Sequence, residues 1–193
     1  MRTSVFVGTS LDGFIARPDG TLDFLSAGGA EPEPYGFEEL LASVDALVMG
    51  RNTYEVVLPF PTWPYGQKPV FVLSSRPLPP PPDGAIVERI GGTPPEVLSE
   101  LSSRGFRHVY VDGGATIQAF LRAGLVQRLV ISRVPVLIGA GISLFGAVDR
   151  DIPLRHVATR QFSSGLVQSE YEIVPPPPVP GDGVSVIQVG AAR

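Results

Sequence analysis

A chain of 193 residues, 44% hydrophobic and 18% charged, is long enough for one domain with a substantial core and short for two. Its net charge of −4 is spread without a long run of one sign, which excludes the basic footprint of a nucleic-acid binder. With no cysteine and only His108 and His156, it has neither a disulfide framework nor the ligand spacing of a zinc site.

No apolar run approaches the roughly 18 residues of a membrane span. The amino-terminal stretch MRTSVFVGTSLDGFIA lacks the apolar core and cleavage site of a signal peptide, so the expectation is a cytoplasmic protein without a metal.

In chain order, SVFVGT (Ser4 to Thr9) is short, β-branched and aromatic, which predicts a strand buried on both faces. LDGFIARPDGTLDFL follows with two Asp-Gly turn signals. GFEELLASV carries apolar residues at helical spacing, and DALVMG after it reads as a strand ended by glycine. RNTYEVVL starts another helix, which stops at the proline-rich PFPTWPYGQKP.

VFVLSS predicts a third buried strand, and RPLPPPPDG an extended loop. AIVERI is a weaker strand, and PPEVLSELSSRG is a helix with proline in its first turn and glycine past its end. HVYVDGGATIQAFLRAG reads as strand, Gly-Gly, helix. VQRLVISRVPVLIGAGISLF supplies a strand and a glycine-rich bend, and LRHVATRQF with LVQSEYEIV forms a closing antiparallel hairpin.

Strands alternating with helices imply an α/β domain around a mostly parallel sheet, with the hairpin adding antiparallel edge strands. The domain is expected over residues 1–174. Residues 175–193, PPPPVPGDGVSVIQVGAAR, change composition and read as an extension whose VSVIQV segment suits pairing with an edge or a partner.

Ligands of open α/β sheets bind beyond the carboxyl ends of the strands. MGRNTY, SSR and DGGAT all fall at such ends. Together they offer helix N–H donors, glycines without a Cβ, hydroxyls and guanidinium groups, the set a phosphate-rich ligand needs. Each also has a plainer reading: Gly113-Gly114 as a tight turn, Arg51 in a surface ion pair, Ser74-Ser75 as a turn start. DGGATIQ does not match the G-x-G-x-x-G fingerprint of an ordinary dinucleotide fold.

The ordered set SLDGFIA, DALVMGRNTYE, VFVLSS, VYVDGGATIQAFLRAGLVQRLVIS and VPVLIGAGISLF resembles the dihydrofolate reductase-like superfamily. Within it the set is most similar to the reductase domain of the riboflavin-biosynthesis deaminase-reductase. The resemblance implies a three-layer α/β/α fold with a mostly parallel central sheet and a carboxyl-terminal antiparallel hairpin, binding NADPH. It places Gly50, Arg51, Asn52 and Thr53 at the adenine side and pyrophosphate, with Ser74, Ser75 and Arg76 joining Arg51 at the ribose 2′-phosphate. Gly113, Gly114, Ala115 and Thr116 would hold the pyrophosphate at a helix start. Asp12, Gly13 and Ile15 would flank the nicotinamide, although Asp12-Gly13 is equally a plain turn.

The expected activity is NADPH-dependent reduction of a small heterocyclic or carbonyl substrate, in the manner of 5-amino-6-(5-phosphoribosylamino)uracil reductase. Proton sources open at this point are Asp12, Asp23 and ordered water. Dihydrofolate reduction is disfavoured, because no acidic residue can be placed in the pterin position. Glu38 and Glu39 read better as exposed carboxylates on an amphipathic helix. The alternatives are a non-catalytic NADP-binding sensor and a dimeric assembly module. A homodimer is expected from the apolar character of VQRLVISRVPVLIGAGISLF.

Overall fold

The computed structural model describes residues 1–26 and 35–174. The proposed extension at 175–193 and the glycine- and proline-rich 27–34 lie outside the described residues.

In chain order the elements are β1 (Arg2–Thr9), β2 (Phe14–Ala16), a short 3-10 helix (Asp23–Ser26), α1 (Phe37–Ser43), β3 (Ala46–Gly50) and α2 (Arg51–Val57). Then come β4 (Val70–Leu73), β5 (Val87–Ile90), α3 (Pro94–Ser103), β6 (His108–Asp112) and α4 (Gly114–Arg122). The chain closes with β7 (Arg128–Arg133), β8 (Ile142–Ser143), β9 (Leu154–Gln161) and β10 (Val167–Ile173).

One sheet of eight strands runs in the order β5-β4-β3-β6-β1-β7-β10-β9. Every pairing from β5 to β7 is parallel, whereas β10 is antiparallel to both β7 and β9. The central parallel strands are covered on both faces, whereas the outer strand β5 exposes Glu88 and Arg89: Val5, Val48, Val109 and Val111 pack under α3 and α4, while Leu47, Met49, Val70 and Tyr110 pack under α1 and α2. Helices on both faces make this the three-layer α/β/α arrangement expected. A strand buried on both faces gains from apolar residues of either parity, so these runs show no alternation.

The strand β7 is interior, with β1 on one side and β10 on the other. Its apolar residues belong to the core and do not by themselves call for a second subunit. Beyond the sequence reading, β2 and β8 form a separate two-stranded sheet. Both strands are too short to show a period, and their pairing depends on Gly141: a β-carbon there would lie 2.3 Å from the carbonyl oxygen of Ala16. Among the described residues, no helix is long and apolar enough to cross a membrane.

Candidate cofactor track and active-site cleft

Because β3 and β6 are adjacent and parallel, the helices that follow them start side by side at the carboxyl edge of the sheet. α2 begins from Gly50 and α4 from Gly113, and neither has a side-chain cap. α3, which also starts at this edge but from the outermost strand β5, is closed by a capping box in which Thr93 and Glu96 satisfy two of the free N–H groups. The first N–H groups of α2 and α4 have no partner within their own helices, so the edge presents two sets of donors.

The two starts interlock reciprocally. A β-carbon on Gly113 would sit 2.1 Å from Thr53 Oγ1, and one on Gly50 would sit 3.0 Å from Thr116 Oγ1. Each threonine fills the space its neighbour's glycine leaves. Of the expected phosphate-side residues, Gly50, Arg51, Asn52, Thr53, Gly113, Gly114, Ala115 and Thr116 are thus brought together, with Asn52 and Ala115 exposed.

At the outer end of this edge, Arg51 Nη1 donates to the Pro77 carbonyl at 2.5 Å, and its Nε lies 2.7 Å from Glu55 one turn along α2. That contact draws the Ser74–Arg76 turn to the helix start. Within the turn, Ser74 Oγ donates to the Arg76 carbonyl at 2.8 Å and accepts from the Arg76 N–H at 3.1 Å. Ser75 and Arg76 are exposed. Arg89, from β5, donates to the Ser74 carbonyl at 3.3 Å and adds a third guanidinium that the sequence reading missed. Among the described residues, neither Arg76 nor Arg89 is in an ion pair.

At the inner end, the β1–β2 turn and the loop after β7 are tied together. Leu11 N–H donates to Val136 O at 2.8 Å, and Leu144 N–H to Gly13 O at 3.1 Å. The Asp12 carboxylate accepts from Gly139 N–H at 2.8 Å and from Ile138 N–H at 3.3 Å. A hydrogen bond from Ser10 first, then those from Gly139 and Ile138, hold its pKa below the usual aspartate value. Asp12 is therefore an ionised anchor for this loop. Ile15 reaches Gly114, where a β-carbon would lie 2.8 Å from its Cδ1. Gln118 of α4 seats the far side of the loop by donating to the Ser143 carbonyl at 3.0 Å, a tie with no sequence signal.

On the face covered by α1 and α2, an aromatic group surrounds the end of β6. Phe37 lies 5.9 Å from Phe6, 6.5 Å from Tyr65 and 6.4 Å from Tyr110 between ring centres. Asp112 sits among them, accepting from Gly113 N–H at 2.7 Å and from the Tyr65 hydroxyl at 3.3 Å. Loss of hydration raises its pKa above the ordinary value, against the pull of the bonds from Gly113, Tyr110 and Tyr65. Among the described residues it is the carboxyl whose proton is held most firmly relative to its usual range. Burial pushes both Tyr65 and Tyr110 well above the ordinary phenol value, so they remain donors.

In the sequence, Asp112 is legible only as part of the DGGAT turn. Of the other carboxylates considered, Asp23 is held by Arg17 at 2.6 Å with a lowered pKa. Glu38 and Glu39 are both exposed on α1, and Glu39 also borders the cavity beside that helix. Beside the aromatic group, a cavity of about 350 Å³ opens between α1 and the β7–β10–β9 edge, with Phe6 in its wall.

This arrangement agrees with what the sequence matches. The RibD C-terminal domain family fits residues 4–168. The chain belongs to this family.

Solved structures share its fold. A Shewanella sp. PV-4 protein named for riboflavin biosynthesis is 39% identical, with a TM-score of 0.83, covering 91% of this chain and all (100%) of that one. The Thermotoga maritima diaminohydroxyphosphoribosylaminopyrimidine deaminase/5-amino-6-(5-phosphoribosylamino)uracil reductase shares the fold at 14% identity and a TM-score of 0.67, covering 90% of this chain and 56% of that one. Enterococcus faecalis dihydrofolate reductase, solved with NADP(H), shares it at 16% identity and a TM-score of 0.57, covering 89% and 96%.

Proposed function

We propose that this RibD C-terminal domain is an NADPH-dependent reductase of a small heterocyclic or carbonyl substrate. The observation that carries the reading is the pair of uncapped helix starts interlocked through Thr53 and Thr116. They form the middle of a track with arginines at one end and the Ile15–Gly114 contact at the other. The fit is chemical: two sets of free N–H donors suit a pyrophosphate, and Arg51, Arg76 and Arg89 suit a further phosphate on the ribose.

On this reading, Gly114, Ala115 and Thr116 hold the pyrophosphate by main-chain N–H groups, with Arg51, Asn52 and Thr53 facing them. Ser74, Ser75, Arg76 and Arg89 select the phosphorylated ribose. Gly13 and Ile15 border the nicotinamide, and the loop fixed by Asp12 keeps water from it. NADPH, when bound, supplies the hydride. The chain's own contribution is to align the substrate beside the aromatic group and to hold a proton at the Asp112 carboxyl, whose pKa burial raises.

Calorimetric titration with NADPH and NADH, followed by single-turnover oxidation of bound NADPH across a panel of cyclic amides and carbonyls, tests the proposal. Preferential NADPH binding with turnover of a panel member is expected. Failure to bind either nucleotide overturns it, and tight binding without turnover across the panel replaces it with the nucleotide-sensing module.

A further inference from the structure

We infer that the β4–β5 loop is a docking site for a partner protein whose groove is lined by aromatic residues and acidic at one end. The contact face is Pro77, Pro80 and Pro81, with Arg76 beside them. The site stands on the loop alone, and only its antagonism with NADPH rests on the reductase reading.

β4 and β5 are parallel neighbours, so the chain between them must return from one end of the sheet to the other. After β3, β5 and β6 the return is made through α2, α3 and α4. Here residues 76–82 read RPLPPPP, and 77–82 form neither helix nor strand. Proline fixes its own φ, and a residue before proline is pushed out of the helical region. Repeated along the loop, both restraints favour the extended proline helix of about three residues per turn.

α2 holds the inner side of this rod. Arg51 Nη1 donates to the Pro77 carbonyl at 2.5 Å, and the buried Tyr54 hydroxyl to the Pro79 carbonyl at 3.0 Å. Leu78 packs against the core cluster that contains Tyr54 and Val70. Pro77, Pro80 and Pro81 are exposed. Pro77 and Pro80 stand one turn apart on one edge, and Pro81 begins the next edge.

A loop that only had to cross the sheet would need its inner residues, and polar ones would serve outside. The outer positions instead carry three apolar rings, already ordered in the conformation that a proline-reading groove binds, so docking loses little conformational entropy. The ends differ in charge. Arg76 at one and Asp83 at the other are exposed and, among the described residues, in no ion pair. A proline helix looks nearly alike in both directions, so these charges set the direction of docking, with the acidic end of the groove at Arg76. Arg76 is also a guanidinium assigned to the ribose phosphate. It cannot serve both, so NADPH and the partner compete.

The test titrates purified SH3 domains whose grooves end in acidic side chains into the full chain, read by calorimetry. At least one is expected to bind. Pro80→Ala with Pro81→Ala should weaken that binding about tenfold while leaving the melting temperature and NADPH affinity unchanged. Arg76→Glu should weaken it at least as much, and the loss should shrink as salt is added. The second proline run, PPPPVP at 175–180, lies outside the described residues and is the control: Pro176→Ser with Pro177→Ser should leave binding unchanged.

Binding by none of the domains overturns the inference. So does binding that survives the loop substitutions, or that is lost with those at 176 and 177. Saturating NADPH should displace the domain and NADH should not. Docking that depends on the loop but ignores NADPH would leave the site standing and remove Arg76 from the nucleotide.

Discussion

Gly113 and Thr53 meet so closely that a β-carbon on the glycine would lie 2.1 Å from the threonine hydroxyl. The same glycine has φ of 87°, a conformation that side-chain-bearing residues avoid. Close approach and backbone geometry therefore both require glycine at the start of α4. Gly113→Ala should lose about 3 kcal/mol, combining backbone strain with overpacking against a stiff β-branched neighbour. Adding Thr53→Ala should recover only the packing part. Urea unfolding of the two proteins measures this, and full recovery in the double variant would show that the backbone contributes nothing.

The arginine corner makes a charge-specific prediction. Arg51 is offset by Glu55 at 2.7 Å, whereas Arg76 and Arg89 lie at the turn without ion pairs among the described residues. Arg76→Ala and Arg89→Ala should each weaken NADPH binding about tenfold while NADH affinity stays constant, since only the former carries the extra phosphate. The loss should shrink as salt is added. Equal losses for both nucleotides would place the guanidinium groups elsewhere on the cofactor.

The residues legible in the sequence were contiguous ones. Gly50 to Thr53 and Gly113 to Thr116 each sit at one strand–helix junction, so a local pattern announces both. What the sequence could not show is that the two junctions touch, because that follows from β3 pairing with β6 across roughly sixty residues of chain. Arg89 and Gln118 were invisible for the same reason, each reaching a carbonyl supplied by another element. Asp112 was in plain view before Gly-Gly. Its character comes from Phe37, Tyr65 and Tyr110, which no local reading assembles. The apolar run of β7 does not by itself speak for or against a second subunit, since an interior strand and an interface strand share the same composition.

Asp12 and the loop after β7 can be separated from the chemistry. A carboxylate with a lowered pKa contributes stability above the unfolded aspartate value and loses it as pH falls through the lower folded value. Asp12→Asn should remove that acid-side slope, and the amides of Ile138 and Gly139 should exchange faster with solvent, because an amide accepts from fewer N–H groups than a carboxylate. The pH profile of turnover should keep its shape even if its height falls. A profile that lost one limb would make Asp12 the proton donor after all.

Asp112 carries the opposite sign. Its folded pKa is raised, so between the ordinary aspartate value and that raised value the folded state binds more protons than the unfolded one. Stability is then greatest in acid, declines through this window as pH rises, and levels off above it. Asp112→Asn should flatten the decline and fold at least as well at neutral pH, because the amide oxygen still accepts from Gly113 and the amide nitrogen can donate to Tyr65. Its turnover should fall by about 10²–10⁴ with NADPH affinity unchanged, the range for losing a positioned acid. In the wild type, turnover should drop as pH rises through the raised value, since the protonated carboxyl is the active form. Tyr65→Phe, which removes the hydrogen bond that favours ionisation, should move that drop to higher pH. A shift to lower pH would mean that the tyrosine stabilises the proton rather than the charge, and the acid would have to be sought outside this carboxyl.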